Sequence, residues 1–243
     1  DYQFDPIAGA RITLDTLEVL NLNGFGISAQ HPALGPAGAL LSYVTETLCA
    51  QPKNIKTLKE YKASENLLID PATQKNLELF KSANNNRYGS LLNAMDDTAT
   101  ASGARLLERW MAEPLLDLKI LRQRQSSVGE FVQTPGLTSD LHNQLKQVRD
   151  LERILGRLEN KIQNPRELGA IRESLKKLPQ IKALLEEFPD SFIELLNEKI
   201  EPFELLSELL EKSLSETLPS KIDDGGTICM GFDRELDNFR ALA

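Results

Sequence analysis

The chain has 243 residues, a net charge of −8 and 41% hydrophobic residues. This length allows one large domain, or one medium domain with part of another, and the composition allows a sizeable core. The negative net charge excludes the overall basic surface that is typical of a nucleic-acid-binding domain.

The sequence is interpreted as that of a cytoplasmic protein with reduced thiols. No signal peptide precedes the first helix, and no apolar run is long enough to cross a bilayer. Cys49 and Cys229 match no metal-ligand spacing, so both are predicted to be unpaired thiols of a cytoplasmic protein. The sequence begins at Asp1 and ends within a helical pattern at Ala243, which suggests a segment of a longer protein.

The first third of the chain predicts helices separated by turns. Asp5-Pro6 starts one helix, the cluster at residues 21–26 forms a turn, and a second helix runs from Ala37 to before Gln51-Pro52. Residues 55–70 break this rhythm, so they predict a small β-hairpin or sheet turning at Ser64-Glu65-Asn66. A short helix over residues 72–80 and an Asn-rich loop follow.

The middle of the chain begins with a helix that Asp97 or Thr98 can cap and that runs to about Ala112. Pro114 ends this helix, and another occupies residues 115–133. Apolar residues spaced by three and four then predict two long antiparallel helices over residues 141–162 and 168–185. Asn164-Pro165 lies between them as the cap and first residue of the second helix.

The last part of the chain predicts two short amphipathic helices over residues 192–200 and 203–214. A tight turn at residues 223–226 and a short extended piece at residues 227–230 follow. Asp233 then begins a final helix. The fold class is therefore mostly α, with a minor β element near residues 55–70.

Candidate reactive groups have structural explanations that fit them better. Gly24-Phe25-Gly26 lacks the third glycine and the preceding strand of a dinucleotide site. His31 and His142 lack partners at metal-ligand spacing. The carboxylate pairs Asp96-Asp97 and Asp223-Asp224 stand at turns, where aspartate bends or caps the backbone. Arg105 and Arg109 share a helix face and are a possible phosphate clamp, although packed stems with charged tips are favoured.

Charge is unevenly distributed. Residues 146–177 hold nine basic and five acidic residues, whereas residues 183–224 hold twelve acidic and three basic ones. Two solvated helix faces explain this pattern, and a basic arm near a phosphate backbone is the functional alternative. The basic residues to test first for DNA contact are Arg149, Arg153 and Arg157.

Four ordered blocks carry a family resemblance. Residues 91–115, LLNAMDDTATASGARLLERWMAEPL, are similar to a run in the MutS family of DNA mismatch repair ATPases. Residues 70–79, 148–158 with 165–168, and 224–242 resemble three further blocks of the same family. Met95 and Phe232 depart from the pattern, which usually has Leu and Tyr there. The first block supplies the motif residues expected to be structural: Asp96, Thr98, Thr100, Gly103, Arg105, Trp110 and Pro114.

The resemblance implies a position within a longer protein. Residues 1–48 resemble the end of the connector domain, and residues 49–243 resemble the first pass of the core or lever domain, ending before the clamp. It implies a dimeric parent that binds ATP, Mg and mismatched double-stranded DNA, and that recruits a MutL-type partner. The segment itself is expected to hold no cofactor, metal or catalytic residue.

The role implied for this segment is mechanical, because packed helices can transmit motion between an ATPase end and a DNA-clamp end. A proline at Leu151 is expected to break the first long helix. Three alternatives remain: a MutS relative acting in recombination, a free-standing helical interaction scaffold, and a hydrolase whose active site is not recognisable from sequence.

Overall fold

Helices dominate the structure, a computed structural model that describes residues 4–52, 55–60, 66–160 and 164–242. The predicted mostly-α class is confirmed. The helices are α1 Pro6–Leu17, α2 Leu34–Leu48, α3 Pro71–Asn76, α4 Leu91–Met95, α5 Ala101–Ala112, α6 Leu118–Gln133, α7 Pro135–Leu145, α8 Leu151–Glu159, α9 Pro165–Leu175, α10 Leu178–Glu186, α11 Ser191–Glu198, α12 Glu204–Ser213 and α13 Arg234–Leu242.

The chain divides into two units, Asp1–Lys62 and Ala63–Ala243. The predicted boundary between residues 48 and 49, with its connector and core assignments, stays a prediction.

Close backbone contact defines the first unit. A Cβ on Gly9 of α1 would lie 1.9 Å from the carbonyl oxygen of Leu34 in α2, and one on Gly38 would lie 2.3 Å from Cα of Gly9. Only glycine permits this approach, because any side chain would displace the backbone of the partner helix. The buried apolar cluster beside this contact consists of Ala10, Leu22, Ile27 and Leu34.

Among its described residues, the second unit has two buried apolar clusters. One lies among α6, α7, α10 and α11, where both α7 and α11 pack on α6 and on α10. Its buried members are Leu141, Ile181, Phe188 and Ile193. The other lies where α9 packs on α8 and α12; its buried members are Ile154, Ile171 and Leu175. These clusters hold α6, α8 and α9, and Arg124 of α6 and Ser174 of α9 make polar contacts described below.

The prediction of one continuous helix over residues 141–162 is wrong. The helical path ends at Leu145 and resumes at Leu151. Asp150 caps the new helix, because its side chain accepts the N–H of Arg153 at 3.4 Å. The N–H of Arg149 donates to Oγ of Ser174 at 3.0 Å instead of to a helical carbonyl. Residue 162, the predicted end, lies outside the described residues.

The second predicted long helix is also divided. α9 ends at Leu175, and α10 begins at Leu178 with Pro179 as its second residue. Proline has no N–H to donate and is tolerated at the start of a helix but not in its interior. The apolar spacing over residues 168–185 continues across this break, so periodicity alone could not reveal it.

The division changes one expectation directly. Leu151 is the first residue of α8, the position at which proline is best tolerated. A proline there is therefore not expected to break a helix, contrary to the sequence-based expectation. Ile154 is the buried residue of α8, and proline at that position would disrupt both the helix and the core.

The small β element near residues 55–70 is not confirmed. Its turn residues Ser64 and Glu65 lie outside the described residues. Within the described parts, residues 55–60 and 67–70 form no strand, and Asn66 makes an isolated antiparallel bridge with Leu115. The N–H of Leu67 donates to the carbonyl of Pro114 at 2.7 Å.

The cap predicted at Asn164 is confirmed, and Asp70 caps α3 although no cap was predicted there. Asp70 accepts the N–H groups of Ala72 and Thr73, and Asn164 accepts that of Arg166. The cap of α5 was predicted wrongly, because Thr100, not Asp97 or Thr98, accepts the N–H of Gly103 at 3.0 Å.

Candidate functional site

The loop before α5 is organised by Asp96. Its Oδ1 accepts the N–H of Thr98 at 3.1 Å and the hydroxyl of Thr98 at 2.7 Å, and its Oδ2 accepts from Arg87. These bonds favour the ionised carboxylate, with Thr98 contributing most, so they lower the pKa of Asp96. The motif residues Asp96, Thr98 and Thr100 thus fix the entry of the chain into α5.

Arg105 joins two helices that are far apart in sequence. Its Nη1 and Nη2 donate to Oδ2 and Oδ1 of Asp150, both at 2.8 Å, and Nη2 also donates to Oε2 of Glu152 at 2.5 Å. Paired donors in a planar fork fix the mutual orientation of the two groups better than a point charge does. We call Arg105, Asp150 and Glu152 the α5–α8 junction.

The junction changes the titration of its members. The hydrogen bonds from Arg105 are the largest influence on Asp150, and they lower the pKa of that carboxyl from its ordinary 3.8 to about 2 despite opposing desolvation. The hydrogen bonds that Arg105 donates to Asp150, and then the one to Glu152, raise the pKa of Arg105. Both groups are therefore charged throughout the neutral range, so the junction is suited to holding helices and not to transferring protons.

Trp110 and Pro114 make separate contacts at the other end of α5. The guanidinium carbon of Arg124 in α6 lies 3.6 Å from the centroid of the Trp110 ring, a cation–π contact. The carbonyl of Pro114 accepts the N–H of Leu67. The motif residues of the α5 region therefore contact α6, α8 and the segment near residue 67.

The candidate DNA-contact residues fall into different environments. Arg157 donates to Glu167 through Nε at 2.6 Å, and Arg153 pairs with Asp150 at 3.5 Å. Arg149 is exposed and has no ion pair with the described residues. Two of these three arginines are therefore paired with carboxylates, and DNA contact by all three stays a prediction.

Sequence analysis did not identify Asp150 and Arg124 as partners of the motif, or Ser174 as the partner of Arg149. Arg105 and Asp150 are 45 residues apart, and Arg149 and Ser174 are 25 apart. No local spacing rule links such positions. The Asp150 N-cap before an amphipathic run was the one available signal, and the continuous apolar stripe concealed it.

Neither a metal centre nor a membrane span is found in the described ranges. No group of three or more His, Cys, Asp or Glu residues there could hold a metal ion. None of the described helices is both long and apolar enough to span a membrane. Cys49 and Cys229 are free thiols, and the thiol of Cys229 donates to the carbonyl of Lys212.

Comparison with known proteins assigns this arrangement to a family. Residues 72–242 match the family described as MutS domain III. Over its full length the chain is 33% identical to the DNA mismatch repair protein MutS of Protochlamydia amoebophila (strain UWE25). The chain spans 28% of the length of that relative.

Proposed function

Because the chain belongs to the MutS domain III family, we propose that it is the core and lever segment of a mismatch-repair ATPase. In this proposal the segment transmits motion between an ATP-binding end and a DNA-clamp end of the full-length protein. That protein would bind ATP with Mg and mismatched double-stranded DNA, would form a homodimer, and would recruit a MutL-type partner. The segment would contribute rigidity and not chemistry.

The α5–α8 junction is the observation that supports this role. α5 contains the motif residues Gly103, Arg105 and Trp110, and the paired Arg105–Asp150 contact ties it to the N-terminal cap of α8. Asp150 also caps α8, so a displacement of α5 would act on the helix end itself. Coupling through packed elements requires such contacts, because a loose contact would absorb the motion.

The test compares two arginines of α5 in the full-length protein. Arg105→Gln removes the ion pairs of the junction. Arg109→Gln removes an exposed arginine whose ion pair is a 4.0 Å contact with Glu113, four residues further along the chain. We expect Arg105→Gln to retain mismatch affinity without ATP and to slow ATP-induced release from mismatched DNA about tenfold, within the usual range of coupling free energies. Arg109→Gln should leave both unchanged.

Release rates are measured on mismatched duplexes with open or blocked ends, so that sliding is separated from direct dissociation. Circular dichroism shows whether each variant is folded. A folded Arg105→Gln protein that slides at the wild-type rate would refute the coupling role of the junction.

The alternatives receive less support. The Protochlamydia relative is named for mismatch repair, which favours that pathway over a recombination-type MutS protein. The family match over residues 72–242 disfavours an unrelated helical scaffold. Loss of mismatch preference in the full-length protein, with ATP-driven release intact, would favour the recombination-type relative.

A further inference from the structure

A basic cleft lies where the ends of α7, α9 and α10 meet the segment before α8. It has a volume of about 520 Å³, and four cationic residues line it: Lys146, Arg149, Arg166 and Lys177. Lys146 follows α7, Arg166 is in the first turn of α9, and Lys177 precedes α10. Tertiary packing therefore collects charges that are dispersed over residues 146–177 of the sequence.

These cations differ from most others near them in having no carboxylate partner. Within the described residues, Arg105, Arg157 and Lys176 are each paired with acidic side chains. None of the four cleft cations forms such a pair there, and Nε of Arg166 donates instead to the carbonyl of Leu218 at 3.3 Å. Lone positive charges that converge on a concave surface attract anions.

Glu173 also lines the cleft, but other groups compensate its charge. Its Oε1 lies 2.9 Å from Nε of Arg172 and 3.9 Å from Nζ of Lys176. The remaining lining residues, Gln147, Gly169 and Ala170, are uncharged. The cleft therefore carries a net positive charge on a chain whose total charge is −8.

A backbone hydrogen bond fixes the position of Arg149. Its N–H donates to Oγ of Ser174, which is fully buried and donates in turn to the carbonyl of Ala170 at 2.7 Å. Asp150, the acidic neighbour, is engaged by Arg105 and Arg153. The segment that presents Arg149 is thus tethered to α9, and the adjacent Asp150 carboxylate is engaged by other arginines.

We propose that this cleft binds the phosphodiester backbone of double-stranded DNA, through Lys146, Arg149, Arg166 and Lys177. The choice of DNA as the anion rests on the proposed function, whereas the cation set does not. Contacts to phosphate groups position a protein without reading base sequence. Binding is therefore expected to be independent of mismatches and strongly dependent on salt.

The test uses the 243-residue chain and a short, fully matched, fluorescently labelled duplex in anisotropy titrations at several salt concentrations. Four phosphate contacts predict a slope of about −3.6 for log K against log salt concentration. Replacing all four cleft cations by Gln should abolish most of this slope and weaken binding at least about tenfold at low salt.

A matched control neutralises four exposed cations outside the cleft, Lys75, Lys81, Lys119 and Lys199. Both variants change the net charge equally, so only a local site distinguishes them. Equal loss of binding in both variants would overturn the proposal. An unchanged affinity of the cleft variant would also overturn it.

Competition identifies the anion. Poly-glutamate is the first competitor. If it displaces the duplex, binds the chain more tightly than the duplex does, and depends on the same four cations, the cleft is assigned to an acidic protein and the DNA proposal is refuted. If inorganic phosphate displaces the duplex at low concentration, the cleft is assigned to a free anion and the DNA proposal is likewise refuted. Failure of both to compete supports DNA.

A second measurement needs no variant. Lysine acetylation of the wild-type chain, read by mass spectrometry, should be suppressed by duplex at Lys146 and Lys177 but not at Lys75 or Lys199. Equal protection at all four lysines would contradict the proposal even if the cleft variant did not fold. None of these outcomes depends on ATP-driven release by the Arg105 variant. Failure of the DNA-binding proposal can therefore be distinguished from failure of the proposed coupling role.

Discussion

The two units of the chain join their helices by different means. In residues 4–52, α1 and α2 meet backbone to backbone, and three glycines, Gly9, Gly35 and Gly38, leave no space for a Cβ. In residues 66–242, short helices meet through side chains that tie one helix end to another, as Asp150 and Ser174 do. The first kind of contact tolerates no added atom, whereas the second depends on particular polar groups.

A buried polar pair repeats this second kind of contact elsewhere. The hydroxyl of Ser127 in α6 donates to Asp190 at 2.7 Å, and the same oxygen of Asp190 accepts the N–H groups of Phe192 and Ile193 at the start of α11. One side chain therefore caps a helix and joins it to a neighbour, as Asp150 does. The starts of α8 and α11 are thus each fixed by a capping aspartate that also has a distant partner.

Gly9→Ala should have the largest effect. The new Cβ would lie 1.9 Å from the carbonyl oxygen of Leu34, so α1 and α2 must separate. We expect a loss of about 3 kcal/mol in the free energy of unfolding, the upper part of the range for overpacked contacts. Urea unfolding measures it. The control is Gly24→Ala, where a Cβ meets nothing within 4 Å; similar losses in both variants would refute the close-contact interpretation.

Ser174→Ala should have the next largest effect, because it removes the acceptor of the Arg149 N–H and a donor to the Ala170 carbonyl. A loss of about 1–2 kcal/mol is expected, the usual cost of leaving a polar group without its partner. Ser207→Ala in α12 is the matched control, since no side-chain hydrogen bond of Ser207 is present among the described residues. A neutral Ser174→Ala would show that the helix ends are not tied through this hydroxyl.

Arg124→Gln tests a weaker contact, the cation–π pair with Trp110. Trp110 is 42% exposed, and Nε of Arg124 is buried without a hydrogen-bond partner in the described structure. We therefore expect a loss of only about 0.5–1 kcal/mol. Trp110 is the sole tryptophan of the chain, so its fluorescence reports the contact directly. Arg122→Gln, an exposed neighbour, should leave the emission unchanged.

Acidification affects the second unit through Asp150. Because its folded-state pKa of about 2 lies below the ordinary 3.8, its contribution to stability is complete above pH 3.8 and is lost as pH falls toward 2. Asp150→Asn should therefore flatten the decline of stability over that range. Thermal unfolding between about pH 5 and pH 2 checks this, with exposed Asp140→Asn as control. Parallel pH profiles for wild type and Asp150→Asn would contradict the assignment.

Much of the local structure was predictable from sequence. Residues with a strong local signal, such as Asp5-Pro6 and Asn164-Pro165, begin helices as predicted, because a cap needs only the next three residues. The apolar spacing of residues 141–185 predicted helix correctly, and the four ordered motif blocks by themselves indicated the MutS family. Composition and spacing thus determined the mostly-α class.

Only the tertiary structure decided where the long apolar stripes are interrupted and which charges meet. An apolar stripe in the sequence shows which face of a helix is buried. The spacing of that stripe does not change when the helix is interrupted and the next helix buries the same face. The break before α8 depends on Ser174, which takes the N–H of Arg149, and on Arg105, which holds Asp150 in place. The basic cleft likewise exists because three helix ends converge. Such contacts join residues 25 to 45 positions apart, and no local pattern encodes which of several polar residues will find its partner.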